Sequence, residues 1–129
     1  MDKSQIASKY YQDGNNCAQA VVLAFQQEMS MDQTTLKKLA LGFGGGVARL
    51  QNACGAVLGM VMVLSYLKGT DDKLASYEFI RGACKEFEEK VGSIICKNIK
   101  QIQQENAQFY NCADVCGIAA KITQDYLAK

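Results

Sequence analysis

Residues 52–69 read NACGAVLGMVMVLSYLKG, and this stretch decides the architecture. Val57, Leu58, Val61, Met62, Leu64 and Leu67 recur at helical spacing. Asn52 stands ahead of them as a cap and Gly69 behind them as a C-terminal stop, which predicts a helix over 53–68. It is the expected central helix of the bundle. The apolar run from Ala53 to Leu67 is shorter than the roughly 18 residues of a membrane span and is interrupted by polar and glycine positions.

Working outward, the same periodicity predicts helices on both sides. A first helix over 3–12 turns Ile6, Tyr10 and Tyr11 inward and ends near Gly14. Asn15 or Asn16 caps a second over 16–29, made apolar by Ala20, Val21, Leu23, Ala24 and Phe25. Asp32 opens a third over 33–42 with Leu36, Leu39 and Ala40. Asp71 or Asp72 opens a long one to Lys90, packed through Leu74, Tyr77, Phe79, Ile80, Phe87 and Val91. Ser93 begins another to Gln104, and Asn111 begins the last, to Tyr126. Period-two alternation is nowhere sustained, and no proline interrupts the pattern. The expected fold is all-α: a compact single domain over 1–129, with six or seven helices and cysteines at helix N-termini.

Composition narrows the chemistry. The chain has 129 residues, a net charge of +1 and no basic tract, so nucleic acid is not an expected partner. It has no histidine, which excludes His-containing zinc sites, Ser-His or Cys-His pairs and haem held by imidazole. The polar start MDKSQIASKYYQDG lacks the apolar core of a signal peptide. A soluble cytoplasmic protein with reduced cysteines and no membrane partner is expected. A chain of this size can bury a sufficient core without disulfide staples, so its six cysteines call for another reason.

Four of the six fall in the first turn of a predicted helix: Cys17, Cys54, Cys96 and Cys112. A helix N-terminus carries partial positive charge and free N–H groups, so a thiol there ionises more readily. Each cysteine taken singly also fits a small apolar core position. Cys84, mid-helix, reads as core. Cys116 follows Cys112 by one turn, with Cα atoms roughly 6 Å apart from helix rise, and reads as packing or a spare thiol. Gly55 and Gly59 lie on one helix face, suited either to a cofactor or to a close helix neighbour. Gly42-Phe43-Gly44-Gly45-Gly46 reads as a sharp turn, or as a nest of N–H groups for an anion or sulfide. Arg49 is either a fixed charge near Cys54 or a solvated residue; Glu86, Glu88 and Glu89 form a solvated face. No Cys-x-x-Cys occurs, so the thiols can meet only through the fold.

This ordered set resembles the family of redox-active proteins named for their C-GCAxxG-C-C cysteine pattern. The likeness runs from Asn16-Cys17-Ala18-Gln19-Ala20-Val21 through Gly42–Gly46 and Cys54-Gly55-Ala56-Val57-Leu58-Gly59. It continues through Phe87 to Ser93, then Cys96 and Cys112. The family's GC element stands here as Ala53-Cys54-Gly55. The resemblance implies a small bacterial or archaeal protein whose characteristic four are Cys17, Cys54, Cys96 and Cys112, with Cys84 and Cys116 outside the pattern. A related domain occurs in split-Soret cytochromes, where an iron–sulfur centre accompanies haem. This chain has neither histidine nor Cys-x-x-Cys-His, so haem is not expected.

The leading functional expectation is that the four thiolates bind a [2Fe–2S] cluster for electron transfer, with Gly44, Gly45 and Gly55 beside it. A metal-free dithiol protein, pairing Cys17 with Cys54 and Cys96 with Cys112, would instead show thiol pKa values below about 8.5. A structural zinc module with four cysteine ligands, binding another protein, is the third reading. An unidentified redox protein is the expected partner, and the apolar second and fourth helices offer a homodimer face. An electron carrier and an enzyme are both compatible with these residues.

Overall fold

The computed structural model describes residues 1–129, which form eight helices and no strand. In chain order these are α1 (Lys3–Gln12), α2 (Cys17–Ala24), α3 (Gln26–Met29), α4 (Gln33–Leu41), α5 (Gly55–Lys68), α6 (Lys73–Val91), α7 (Cys96–Glu105) and α8 (Cys112–Leu127). The all-α class is as expected; the helix count is slightly higher because the helix expected over 16–29 breaks at Phe25. There φ and ψ turn to −112° and 21°. The carbonyl of Ala24 accepts a bond from Lys3 Nζ at 2.8 Å. Lys3 also pairs with Glu28 at 2.6 Å and stands 5.1 Å from the centroid of the Phe25 ring. One side chain of α1 thus stabilises the break, while Phe25 and Met29 both remain buried.

Local signals start most of the helices. Asp2, Asn16 and Asn111 each form a reciprocal capping box, with Gln5, Gln19 and Asp114. Asp32 and Asp72 cap α4 and α6 through Thr35 N–H and Ala75 N–H. α6 stops at Gly92, whose φ of +99° suits a residue without Cβ.

Helices α2, α5 and α8 pack against one another at the centre, with α1, α4 and α6 around them. Nearly every residue of α2 is buried, and α5 buries Ala56, Val57, Met60, Val63 and Leu64. The two helices expected to offer a dimer face therefore bury most of their apolar surface within one chain. Gly59 is what lets α2 and α5 approach: a Cβ there would lie 2.8 Å from the carbonyl oxygen of Ala18. The glycine pair at 55 and 59 thus serves close helix packing.

Some expected core positions lie at the surface. Leu74 and Tyr77 are 78% and 55% exposed, and Lys73 and Ala75 in the same first turn of α6 are exposed as well. Leu39 is exposed too, and α4 packs instead through Leu36 and Ala40. Cys84 is only half-buried at the edge of the core, whereas Cys116 is fully buried. No helix is long and apolar enough to cross a membrane.

Gly59→Ala is expected to lower unfolding free energy by about 1–3 kcal/mol, the range for overpacking against an unyielding neighbour. Leu74→Gln should change it by less than about 0.5 kcal/mol. Urea unfolding of both variants checks the contrast.

Candidate functional site

Cys17, Cys96 and Cys112 are the first residues of α2, α7 and α8, and Cys54 is the residue immediately before α5. Asn16 and Asn111 cap as their sequence predicts: Gln19 N–H and Asp114 N–H each donate to the cap side chain at 2.8 Å. The other two starts are built differently. Neither Asn52 nor Ser93 caps a helix, and α5 and α7 begin later than expected. Both residues belong to short segments that meet in an antiparallel bridge, Ala53 opposite Ile95. Cys54 N–H donates to the Ile94 carbonyl and Cys96 N–H to the Asn52 carbonyl, both at 2.7 Å. Lys97 N–H donates to the Gln51 carbonyl at 3.2 Å. Ser93 Oγ instead accepts bonds from Ile95 N–H and from Asn98 Nδ2, holding the turn before α7. These bonds fix the N-termini of α5 and α7 side by side.

The glycine stretch leads into a left-handed turn. Gly45, Gly46, Val47, Ala48 and Arg49 have φ values of 65°, 74°, 66°, 51° and 63°, and Gln51 follows at 61°. For the non-glycine members this conformation costs roughly 1–2 kcal/mol each. Long-range turn bonds hold it: Arg49 N–H to the Gly44 carbonyl, Gln51 N–H to Gly45 and Asn52 N–H to Gly46, at 3.0–3.1 Å. A Cβ at Gly46 would stand 2.8 Å from the Cβ of Cys96, so the loop passes directly over that cysteine.

The four helix starts and this loop surround one open cleft of about 1140 Å³. Cys17, Cys54, Cys96 and Cys112 all line it, with Gly45, Gly55 and Arg49. Gly44 does not. It packs against the N-cap of α2, where a Cβ would overlap the Asn16 side chain. Cys84 and Cys116 are also absent from the lining, although the Cys116 thiol donates to the Cys17 carbonyl at 3.9 Å. All six cysteines are free thiols. No three cysteine or carboxylate side chains stand close enough together to hold a single metal ion.

Electrostatics reverse the expectation of easily ionised thiols. Burial pushes the Cys54 thiol up to about 11, although the amides of Val57 and Ala56 pull it down. At Cys17 a hydrogen bond from Cys112 lowers the value, but Cys116, burial and neighbouring thiols together raise it beyond the usual thiol range. Cys112 is raised by its hydrogen bond to Cys17 and by burial. Cys96 is raised by burial against the opposing pull of Lys100. In the metal-free protein, desolvation and crowding of like groups outweigh the helix termini. Among its neighbours, the Cys17 thiol is influenced more by Cys112 and Cys116 than by Cys54.

Three further residues act on the thiols. Gln103 Nε2 lies 3.7 Å from Cys112 Sγ and also donates to the Tyr110 carbonyl. Tyr11 lines the cleft together with Cys112, and burial raises its hydroxyl above the ordinary tyrosine range. Lys100 stands near Cys96. Positions 96, 100 and 103 share one face of α7 by helical spacing, so the sequence carried a signal for two of the three. Tyr11 had no comparable signal, because α1 reaches the site only through packing.

A raised folded pKa means that stability is fully present below the unfolded value and is lost as pH climbs toward the folded one. For reduced, metal-free protein, unfolding free energy is expected to fall between about pH 9 and pH 11. Cys54 alone should account for on the order of 3 kcal/mol. Denaturant titrations across that range should show this component missing in Cys54→Ser.

Among known proteins, a family model described as "Putative redox-active protein (C_GCAxxG_C_C)" matches residues 15–126. No curated protein and no solved structure matches the chain. The matched span contains all four thiols of the cleft and most of the chain. The protein therefore belongs to the C_GCAxxG_C_C family.

Proposed function

We propose that Cys17, Cys54, Cys96 and Cys112 together hold an iron–sulfur cluster, most simply [2Fe–2S], and that the protein carries electrons. One observation carries this reading: four thiols from four helix starts line a single cleft that no carboxylate enters. No three of these ligands are gathered for a single metal ion, so a multi-atom core is the group proposed. Their raised pKa values argue in the same direction. Such thiols are poor nucleophiles at neutral pH, but a cationic iron core inverts this balance and keeps its ligands deprotonated. A bound cluster supplies one-electron transfer. Around it, the N-termini of α2, α5, α7 and α8 offset the negative charge of the thiolates. Gln103 Nε2 lies 3.7 Å from the Cys112 sulfur, and hydrogen bonds to ligand sulfurs tune cluster potentials.

The mutual influence of the Cys17 and Cys112 thiols, which line the same cleft, favours a second reading, a reversible disulfide between these two. Two thiols would release two protons and two electrons to an oxidised partner.

Protein purified without oxygen is expected to absorb between about 320 and 600 nm, with iron and acid-labile sulfide in matching amounts. With no tryptophan and six tyrosines, the chain itself is transparent there. Serine at any of positions 17, 54, 96 or 112 should abolish or shift the band, while Cys84→Ser and Cys116→Ser retain it. A colourless protein that fails reconstitution with iron and sulfide overturns the cluster. Mass-spectrometric mapping of a Cys17–Cys112 disulfide would then support the second reading.

A further inference from the structure

The chain leaves eleven large apolar side chains exposed, and six of them gather beside the cleft: Leu39, Leu41, Phe43, Val47, Leu50 and Ile95. Single exposed apolar residues are ordinary, but a concentration of them marks an interaction surface. Residues 41–50 are folded into a compact knob by their own backbone. Ala48 N–H donates to the Gly42 carbonyl at 2.8 Å, Leu50 N–H to Val47 at 2.9 Å and Gln51 N–H to Gly45 at 3.0 Å. Asn16 Nδ2 ties the Leu41 carbonyl to the start of α2 at 2.9 Å. Ile95 reaches the same surface through the bridge, where it lies opposite Ala53 and Lys97 N–H donates to the Gln51 carbonyl. None of the six lines the cysteine cleft, so neither core packing nor the cleft accounts for them.

The knob lies on one of the thiols. Gly46 is buried on its inner side, where a Cβ would stand 2.8 Å from the Cβ of Cys96, while Val47, Ala48 and Leu50 are exposed. A protein seated on the knob is separated from Cys96 by little more than one layer of backbone. The surrounding charge has one sign. No aspartate or glutamate occurs from 33 to 70 or from 90 to 104. Lys38 stands one turn before Leu41 on α4, and Lys97 opens α7 two residues after Ile95. Both are exposed, neither forms an ion pair, and neither lines the cleft, so the thiolate centre does not answer them. Of the acids on the other wall, Asp13 is paired with Lys9, and Asp114 is held in the capping box of α8. A second copy meeting this surface face to face would set lysine against lysine, whereas a partner of opposite sign is favoured.

We propose that the 41–50 knob, with Ile95, Lys38 and Lys97, is the docking surface for a small acidic electron-carrier protein whose carboxylates ring an apolar centre. The two lysines steer the partner, and Leu41, Phe43, Val47 and Leu50 form the dry middle of the contact. The choice of an electron carrier rests on the cluster reading. One electron passes from the reduced partner to the cluster, and no atom or proton moves with it.

Full-length, iron-free protein labelled with nitrogen-15 and titrated with an oxidised plant-type ferredoxin, the acidic probe, tests the surface. Backbone amide signals of residues 38–51 and 95–97 are expected to shift at low salt and to return as salt is raised. Cytochrome c, the basic probe, should leave them in place. Lys38→Glu combined with Lys97→Glu should weaken ferredoxin binding about tenfold. Leu41→Gln combined with Leu50→Gln should weaken it about fivefold, and Leu74→Gln, an exposed leucine on α6, should change nothing. All five positions are exposed, so the fold does not depend on them. No shift, shifts elsewhere, or binding indifferent to both double variants overturns the docking surface. Signals that move with protein concentration alone identify a second copy as the occupant and overturn the acidic partner. Because no iron is used, ferredoxin bound here by a protein that never takes up a cluster fails the cluster reading alone. With the cluster in place, its reduction by ferredoxin should slow by the same factors in the two double variants while its visible band is unchanged; equal rates overturn the proposal.

Discussion

The antiparallel bridge between Ala53 and Ile95 is the contact on which the rest of the cysteine site depends. It joins two helix starts that lie far apart in sequence. Its hydrogen bonds satisfy backbone groups just ahead of α5 and α7, where no capping side chain is present. By pairing Cys54 N–H with Ile94 and Cys96 N–H with Asn52, it also sets two of the four thiols on one wall. The left-handed loop then closes over this wall through the bond from Asn52 N–H to the Gly46 carbonyl.

The opposite wall depends on helix packing. Gly55 has no Cβ to separate α5 from α2; one placed there would sit 3.2 Å from the Cβ of Cys17. Gly59 repeats the contact one turn later against Ala18. At Gly117, a Cβ would meet Ser4 Oγ at 2.7 Å, so α1 and α8 approach just as closely. Ser8 Oγ adds a bond to the Ala113 carbonyl, beside Cys112. Two close helix crossings and one bridge thus bring four helix starts to a single cleft.

Within that cleft two electrostatic effects compete. Helix N-termini favour thiolates by typically about 0.3–1 kcal/mol each, and more when partly buried. Burial and the presence of other thiols oppose them and prevail, with Cys54 pushed up to about 11. The thiols of the metal-free protein are therefore held in the protonated form at neutral pH. Strain is concentrated in the same place: Val47, a β-branched residue, adopts φ 66° in the loop above Cys96. The loop is held by backbone bonds rather than by burial of its side chains, since Val47, Ala48, Arg49 and Leu50 are all exposed.

The sequence by itself determined the helical class, most helix boundaries and the position of each of the four cleft cysteines near a helix start. These are local properties: periodicity, Asn and Asp caps, and glycine stops act over a few residues. Asn16 and Asn111 were legible for that reason. Asn52 and Ser93 were misleading, because backbone pairing over a long separation replaced the local cap. The break at Phe25 escaped for the same reason, since the carbonyl it frees is satisfied by Lys3 from another helix. Only the tertiary structure decided that the four thiols line one cleft, that Gly44 lies outside it and Gly45 within it, and that Tyr11 reaches the same cleft. It also reversed the sense of the thiol pKa values. A helix dipole can be read from one segment, but desolvation and repulsion among thiols depend on every element that closes around them.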